Sequence, residues 1–317
     1  MSGALTVEHV DAREAARAAG PILRAAWSRP GLHYSDAYLA WEFTMPGVGA
    51  LFTIAFDGAE PVAFMGSVPR RATSRGAVEP VVIASFVSVL PRASGRGVAR
   101  ELQAAHLGRL LSQRRKVVSF AWSGSRGSRT FENASRSAGF HFTALAPRAV
   151  LAALPQPPKA PEPEVHVLSD PAEAFTKHPP APELLVAAPS RAELEHYARD
   201  PRQRVFLEAP GDRGAVASFV LSEVLGEGVV ERVVSLDLLA APADVDPAAL
   251  GALARAAAAH FADRASTPIV SVSADGGLSS ETLRAAGWRR TPTTFDARFL
   301  SPDPVDVPPR GTTLEIV

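Results

Sequence analysis

Hydrophobic positions along this chain fall into two rhythms. Apolar runs of strand character occupy residues 50–56, 61–68 and 78–89. Asp57-Gly58 marks a hairpin between the first two, with Ala59-Glu60 extending its loop beyond two residues. After Val89 the spacing changes. Val98, Leu102, Ala105 and Leu110 recur close to a helical period, which predicts a helix over residues 98–111 with these positions on its inner face. A strand follows at 117–122, then a helix at 128–138 closed by Gly139, then a strand at 141–150. Upstream, Val7 lies in a short strand and residues 12–27 read as a helix. A second helix, 36–43, has Ser35 or Asp36 placed as its cap.

The order then repeats. Strands are expected at 204–209 and 215–222 around Gly211-Asp212, and a longer one at 229–239. An alanine-rich helix at 247–261, a strand at 268–273, a helix at 279–286 closed by Gly287, and a strand at 294–300 complete the series. Ala138-Gly139-Phe140 and Ala286-Gly287-Trp288 occupy equivalent places, so an internal duplication is the economical reading. Between the two series lie seven residues that alternate around prolines, from Pro155 to Pro161, and Pro163 follows. Proline lacks the N–H that a helix interior or central strand requires, so this is an extended linker. The expected organisation is a domain at 1–154, a linker at 155–164, a second domain at 165–301 and a tail at 302–317.

Composition narrows the class. At 317 residues, 46% hydrophobic and 21% charged, the chain can build two ordinary cores. No apolar stretch approaches the ~20 residues needed to span a bilayer, and residues 1–8 lack signal-peptide character. Cysteine is absent, which excludes disulfides, thiolate nucleophiles and cysteine-ligated metals, and a reducing cytoplasm is the expected location. The eight histidines show no metal-ligand spacing, so no metal is expected. Net charge is zero, which argues against nucleic acid as a partner. The balance conceals an asymmetry: residues 1–150 carry 18 basic and 10 acidic residues, the remainder 15 and 23. A basic first half suits a small polyanionic ligand, and equally suits attraction between the halves.

The chemistry concentrates where the third strand-like run gives way to the helix, at Leu90-Pro91-Arg92-Ala93-Ser94-Gly95-Arg96-Gly97-Val98. Glycines let successive backbone N–H groups converge, and a helix N-terminus adds partial positive charge. Two arginines beside them can close on a polyphosphate with bidentate hydrogen bonds. A dinucleotide fingerprint would need Gly-x-Gly-x-x-Gly, and a P-loop a lysine after its last glycine. Neither is present.

In this setting Arg92-x-x-Gly95-x-Gly97 resembles the signature of the GNAT superfamily of acyl-CoA N-acyltransferases, and Ala138-Gly139-Phe140 resembles that family's landmark at the end of its fourth helix. The resemblance covers about residues 5–150, with a weaker echo over 165–300. It implies an α/β (α+β) class: two GNAT-like domains, each a mixed, largely antiparallel sheet flanked by helices. It also implies that the backbone of Val87 and Val89 pairs with the pantetheine arm of acetyl-CoA or another acyl-CoA. Arg92, Ser94, Gly95, Arg96, Gly97 and Val98 would then hold the pyrophosphate. Two departures stand out. Where the family often carries a tyrosine as general acid this chain has Ser135, and the strand region that often supplies a general base holds only Val81-Val82-Ile83-Ala84, with Glu79 as the nearest carboxylate. Glu79 also reads as a solvated strand-end charge. The equivalent turn of the second half, residues 240–247, has no glycine or arginine and carries Asp244 and Asp246, which would repel a pyrophosphate.

Residues 27–43 hold two of the three tyrosines and two of the four tryptophans. His33, Tyr34 and Tyr38 are candidates for binding an acceptor, and an aromatic wall with His33 and Glu42 nearby can hold an amine or an apolar acyl chain. Packing between helices explains Trp27, Leu39 and Phe43 equally well. The segment Ser123-Gly124-Ser125-Arg126-Gly127-Ser128-Arg129 can either meet the far end of coenzyme A or simply cap the following helix. His106 reads as a surface or half-buried helix residue. The function expected from all this is N-acyl transfer from acyl-CoA to a small-molecule or peptide amine, without a membrane partner. The alternatives are a non-catalytic module that binds acyl-CoA or a protein, and acyl transfer from an acyl carrier protein.

Overall fold

The computed structural model describes residues 5–26, 31–32, 34–155, 157, 161, 163–176, 184–226, 229–305 and 309–314. The first half contains β1 (Leu5–Val10), α1 (Ala12–Ala26), β2 (Gly31–Leu32), α2 (Asp36–Glu42), β3 (Leu51–Asp57), β4 (Glu60–Ser74) and β5 (Ala77–Val89). A 3-10 turn (Pro91–Ala93) then leads to α3 (Val98–Ser112), β6 (Val117–Trp122), α4 (Arg126–Ala138), β7 (His141–Ala144) and β8 (Arg148–Ala153). The second half contains β9 (His166–Val167), α5 (Ala172–Thr176), β10 (Leu184–Ala187), α6 (Arg191–Tyr197), β11 (Val205–Ala209), β12 (Ala215–Gly226), β13 (Val229–Ala240), α7 (Pro247–His260), β14 (Ser266–Ser271), α8 (Ser280–Ala285) and β15 (Trp288–Ser301). The last described strand is β16 (Gly311–Thr312).

One twisted sheet runs through both halves in the order β1-β3-β4-β5-β6-β15-β8-β14-β13-β12-β11-β9. Along this path only β5–β6 and β13–β14 are parallel, and every other pair is antiparallel. The mixed, largely antiparallel sheet flanked by helices is therefore present as expected. Its centre is less simple than two adjoining sheets. β15 comes from the second half yet pairs with β6 and β7 of the first, while β8 comes from the first half and pairs with β14 of the second. Each half thus receives a strand from the other.

This exchange accounts for two differences from the sequence reading. The single strand expected at 141–150 is broken into β7 and β8, because Pro147 has no N–H to donate and the chain crosses there into the other half's part of the sheet. β15 begins six residues earlier than expected, since its early part, Trp288 to Phe295, pairs with β8 (with a register shift between Arg290 and Thr294), and the part from Phe295 to Leu300 pairs with β6. The β3–β4 hairpin is also tighter than expected. Asp57 pairs with Glu60, leaving a two-residue loop in which Gly58 takes a positive φ of 65°.

α2 and α6 are built alike. Both open on a serine cap, Ser35 and Ser190, and both bury a leucine at the same helical position, Leu39 and Leu194. The sixth residue of each helix meets its counterpart: the Trp41 indole N–H donates to the His196 carbonyl at 2.9 Å, and His196 Nε2 donates to the Trp41 carbonyl at 2.9 Å. Around this contact lies a buried polar network. Glu42 is buried against Arg70 at 2.5 Å, so it serves this join rather than an amine pocket. Asp200 accepts from both Arg202 and Arg204 at 2.8 Å, and these guanidinium groups hold its carboxyl down at about 2 against the opposing effect of burial.

Cores form on both faces of the first half's sheet. On one face α1 and α2 cover Ile54, Phe64, Ile83 and Val118; on the other α3 and α4 cover Ala63, Val82, Ala84 and Val117. A third core lies under α7 and α8. No described helix is long and apolar enough to cross a membrane.

Candidate active site

The two parallel strands at the centre of the first half do not stay together. β5 and β6 pair at Val82–Val117, Ile83–Val118 and Ala84–Ser119, and then diverge. On its other edge β5 carries a bulge: Ser85 pairs with Gly66 and Ser88 with Phe64, so that Phe86 and Val87 together face the single residue Met65. Phe86 takes a positive φ of 61°, a conformation strained for an aromatic residue. Gly66 makes room for it, because a Cβ there would stand 3.2 Å from the Phe86 ring. The bulge re-aims the strand end, and among the described residues β5 pairs with β6 no further than Ala84.

A cavity of about 200 Å³ fills the space between the diverging strands. Tyr34 and Phe86 border it on the α1/α2 side, and Gln103 and Phe131 on the α3/α4 side. Trp122, 39% exposed, and Phe295 stack at 4.6 Å and also line it, so the exchanged strand β15 contributes directly to the wall. No lining side chain is charged.

The glycine turn lies at the open end of β5. The Leu90 N–H donates to the Val62 carbonyl, which fixes the exit of the strand, and the 3-10 turn follows. Gly95 and Gly97 both have φ near +80°, where a side chain would be strained, and a Cβ on Gly95 would meet nothing within 4 Å. Gly97 caps α3 without a side-chain hydrogen bond, whereas α2, α4, α6, α7 and α8 each receive a serine or aspartate oxygen at that position. Arg92 and Arg96 project from this turn, each held by a carboxylate of the β3–β4 hairpin. Arg92 meets Glu60 at 2.8 Å and Arg96 meets Asp57 at 2.5 Å.

Among the described residues the second half offers no such turn. Its turn buries Val245, and Asp246 fills the N-terminus of α7 with its own carboxylate, accepting from the Ala248 N–H at 2.9 Å. The space beside β13 and the chain after β14 falls to about 40 Å³ and is lined partly by Thr313 of the tail.

The remaining sequence candidates separate. Tyr34 lines the cavity, and burial pushes its phenol pKa up. Tyr38 stacks on Tyr34 at 5.9 Å but faces away from the cavity, under the Arg202 guanidinium at 4.2 Å. His33 lies outside the described residues. Glu79 sits at the far end of β5, about 16 Å from Ala84 by strand rise, and is ion-paired with Lys116. The structure does not bring it to the cleft. Ser135 is fully buried and donates its hydroxyl to the Phe131 carbonyl at 2.8 Å, so it too turns away. Ser125 caps α4 and Ser128 bonds Asp296, which fits the capping reading of that segment, while Arg126 and Arg129 stay exposed. His106, expected at or near the surface, is wholly buried between Thr53 and Ser67. Gln103 and Phe295 were not singled out from the sequence. Gln103 carries a faint signal, as a polar residue beside the apolar stripe of α3; Phe295 carries none, because strand exchange alone brings it here.

No family model and no curated protein matches the chain. Solved structures do. N-myristoyltransferase from Saccharomyces cerevisiae with bound myristoyl-CoA is 11% identical, with a TM-score of 0.62, over 98% of this chain and 89% of that one. A second structure of the same enzyme, with myristoyl-CoA and inhibitors, gives a TM-score of 0.65 over 99% and 86%. A conserved protein of unknown function from Enterococcus faecalis V583, described as a probable N-acyltransferase, is 10% identical, with a TM-score of 0.57, over 95% and 72%. At these identities the likeness establishes the fold alone: the chain shares the architecture of these structures, a mixed, largely antiparallel sheet flanked by helices.

Proposed function

We propose that this protein transfers an acyl group from an acyl-CoA thioester to an amine, and that the cleft between β5 and β6 is where it does so. The observation that carries this reading is the cavity that opens where β6 pairing with β5 ends at Ala84, lined by Ser85, Phe86 and Val87 on the strand that runs on into the glycine turn. An extended pantetheine arm has the amide groups to lie along that strand as a further strand would. The open amides at Gly95, Gly97 and the uncapped α3 N-terminus suit a pyrophosphate, with Arg92 and Arg96 turning from Glu60 and Asp57 to meet it. The division of the chain at 155–164 belongs to the same proposal: the first half binds the thioester, and the second has lost its turn and supplies a wall.

For the chemical step, a neutral amine attacks the thioester carbonyl. The carbon–nitrogen bond forms, charge collects on the carbonyl oxygen, and collapse breaks the carbon–sulfur bond. A backbone N–H near Val87, freed by the bulge, is placed to donate to that oxygen. Because Glu79 is remote and the Ser135 hydroxyl is committed, water carries the amine proton away and reprotonates the thiolate. Positioning then supplies most of the acceleration. The acceptor is a small-molecule or peptide amine.

Calorimetric titration of acetyl-CoA, longer acyl-CoAs and free coenzyme A, with thiol release measured across an amine panel, tests the reading. Micromolar binding weakened at least 10-fold by Arg96→Ala, and abolished in a folded Gly97→Glu protein, is the expected result. Unchanged affinity in folded Gly97→Glu would remove the turn from the site.

A further inference from the structure

Aromatic residues line the cleft from both of the strands that diverge around it. On the β5 side Phe86 meets Tyr34 edge to face, with ring centroids 5.3 Å apart. On the β6 side Trp122 lies directly across from Phe295 of β15, at 4.6 Å between centroids. Phe120, two residues earlier on β6, falls on the same face of the sheet as Trp122 and also lines the cleft. Trp122 is 39% exposed, and Phe120 and Phe295 are half-buried. These three side chains therefore keep apolar surface that a ligand can cover, and covering it is favourable.

Resting on the acyl-CoA reading above, we infer that the cleft takes one flat aromatic ring, brought to the reaction either by the acyl group or by the amine. The size fits a single ring. An apolar cavity of roughly 150 Å³ admits benzene, and this one measures about 200 Å³, which leaves room for the short link to a carbonyl or a nitrogen. A charged substituent is disfavoured, because no lining side chain is charged and the ion would be buried unpaired. Among neutral groups the walls select for a π face. Aromatic pairs gain from offset and edge-to-face contact beyond the apolar area they bury, and a saturated ring of equal carbon count forgoes that gain. Phe295 completes the wall only because β15 is exchanged between the halves, so this selectivity depends on both.

The test is calorimetric and has two arms. One compares benzoyl-CoA with cyclohexanecarbonyl-CoA; the other titrates benzylamine and cyclohexylmethylamine into protein saturated with free coenzyme A. Each arm is run on the wild type, on Trp122→Leu and on Phe295→Leu, which keep an apolar side chain and remove the ring. In one arm the wild type should prefer the aromatic member about 3- to 10-fold, the range that one or two aromatic contacts supply. That arm identifies which reactant carries the ring. The preference should fall towards one in both leucine variants, and the largely exposed site of Trp122 makes its variant safe to fold. No aromatic preference in either arm, or a preference that both variants keep, overturns the inference while binding of free coenzyme A leaves the acyl-CoA reading standing. Failure of free coenzyme A and both thioesters to bind the wild type overturns both.

Discussion

His106 should make the fold sensitive to mild acid. Its ring is wholly buried, with Nδ1 2.8 Å from Thr53 Oγ1 and Nε2 2.7 Å from Ser67 Oγ, and burial, aided by the nearby His9, depresses its pKa to about 3. In the unfolded chain the same ring titrates near 6.5. Above pH 6.5 both states hold it neutral and it contributes no pH dependence. Between pH 6.5 and 3 the unfolded chain takes up a proton that the native state refuses, so stability falls as pH falls, by about 1.4 kcal/mol per unit. At pH 5 the loss is about 2 kcal/mol, a sizeable part of the 5–15 kcal/mol that typically separates folded from unfolded domains. Urea denaturation at pH 7.5, 6 and 5 should show this slope in the wild type. His106→Gln, which keeps a neutral hydrogen-bonding side chain, should lose about 2 kcal/mol of the difference between pH 7.5 and 5, whatever its absolute stability. The same difference in both proteins would refute the argument, since the proton uptake would then belong to other groups.

Two further outcomes follow from pairs described above. Replacing Asp57 by Asn together with Glu60 by Gln should tighten coenzyme A binding several-fold, because Arg92 and Arg96 would no longer be neutralised by the hairpin; weaker binding in calorimetry would mean that the carboxylates orient the arginines instead. Glu42→Gln removes the Glu42 carboxylate from the buried ion pair with Arg70 and should cost about 3–5 kcal/mol in urea denaturation, with partial recovery in the double variant carrying Arg70→Met. No recovery would place the cost elsewhere.

What was legible in the sequence was what local chemistry decides. The strand runs at 50–56, 61–68 and 78–89, the cap at Ser35, the closing glycines 139 and 287 and the Arg/Gly turn stand where the residues indicated, because propensity, φ preference and capping act over a few positions. Of the sequence candidates, Val87 and Tyr34 come to the cavity wall. Glu79 and Ser135 were chosen by distance along the chain from a motif, and the fold sends one to the far end of the strand and turns the other into its own helix. The burial of Glu42 and His106 depended on partners, Arg70 and Thr53 with Ser67, that lie 28 to 53 residues away. The bulge at Phe86 needed Gly66 opposite it, and pairing between strands is not written in either strand alone.

The exchange of β8 and β15 sets the order in which the protein can be assembled during synthesis. β6 leaves the ribosome ~165 residues before the strand that will lie beside it. At 5–20 residues per second that is roughly ten to thirty seconds in which the edge of β6 stays bare and Phe295 is missing from the cleft. Such an edge is a template for wrong pairing, and so distant a contact is slow to form. The nascent first half therefore cannot be finished ahead of the second. The ligand-binding wall closes only when nearly the whole chain is available, and any truncation before residue 301 should remove the cleft along with the strand.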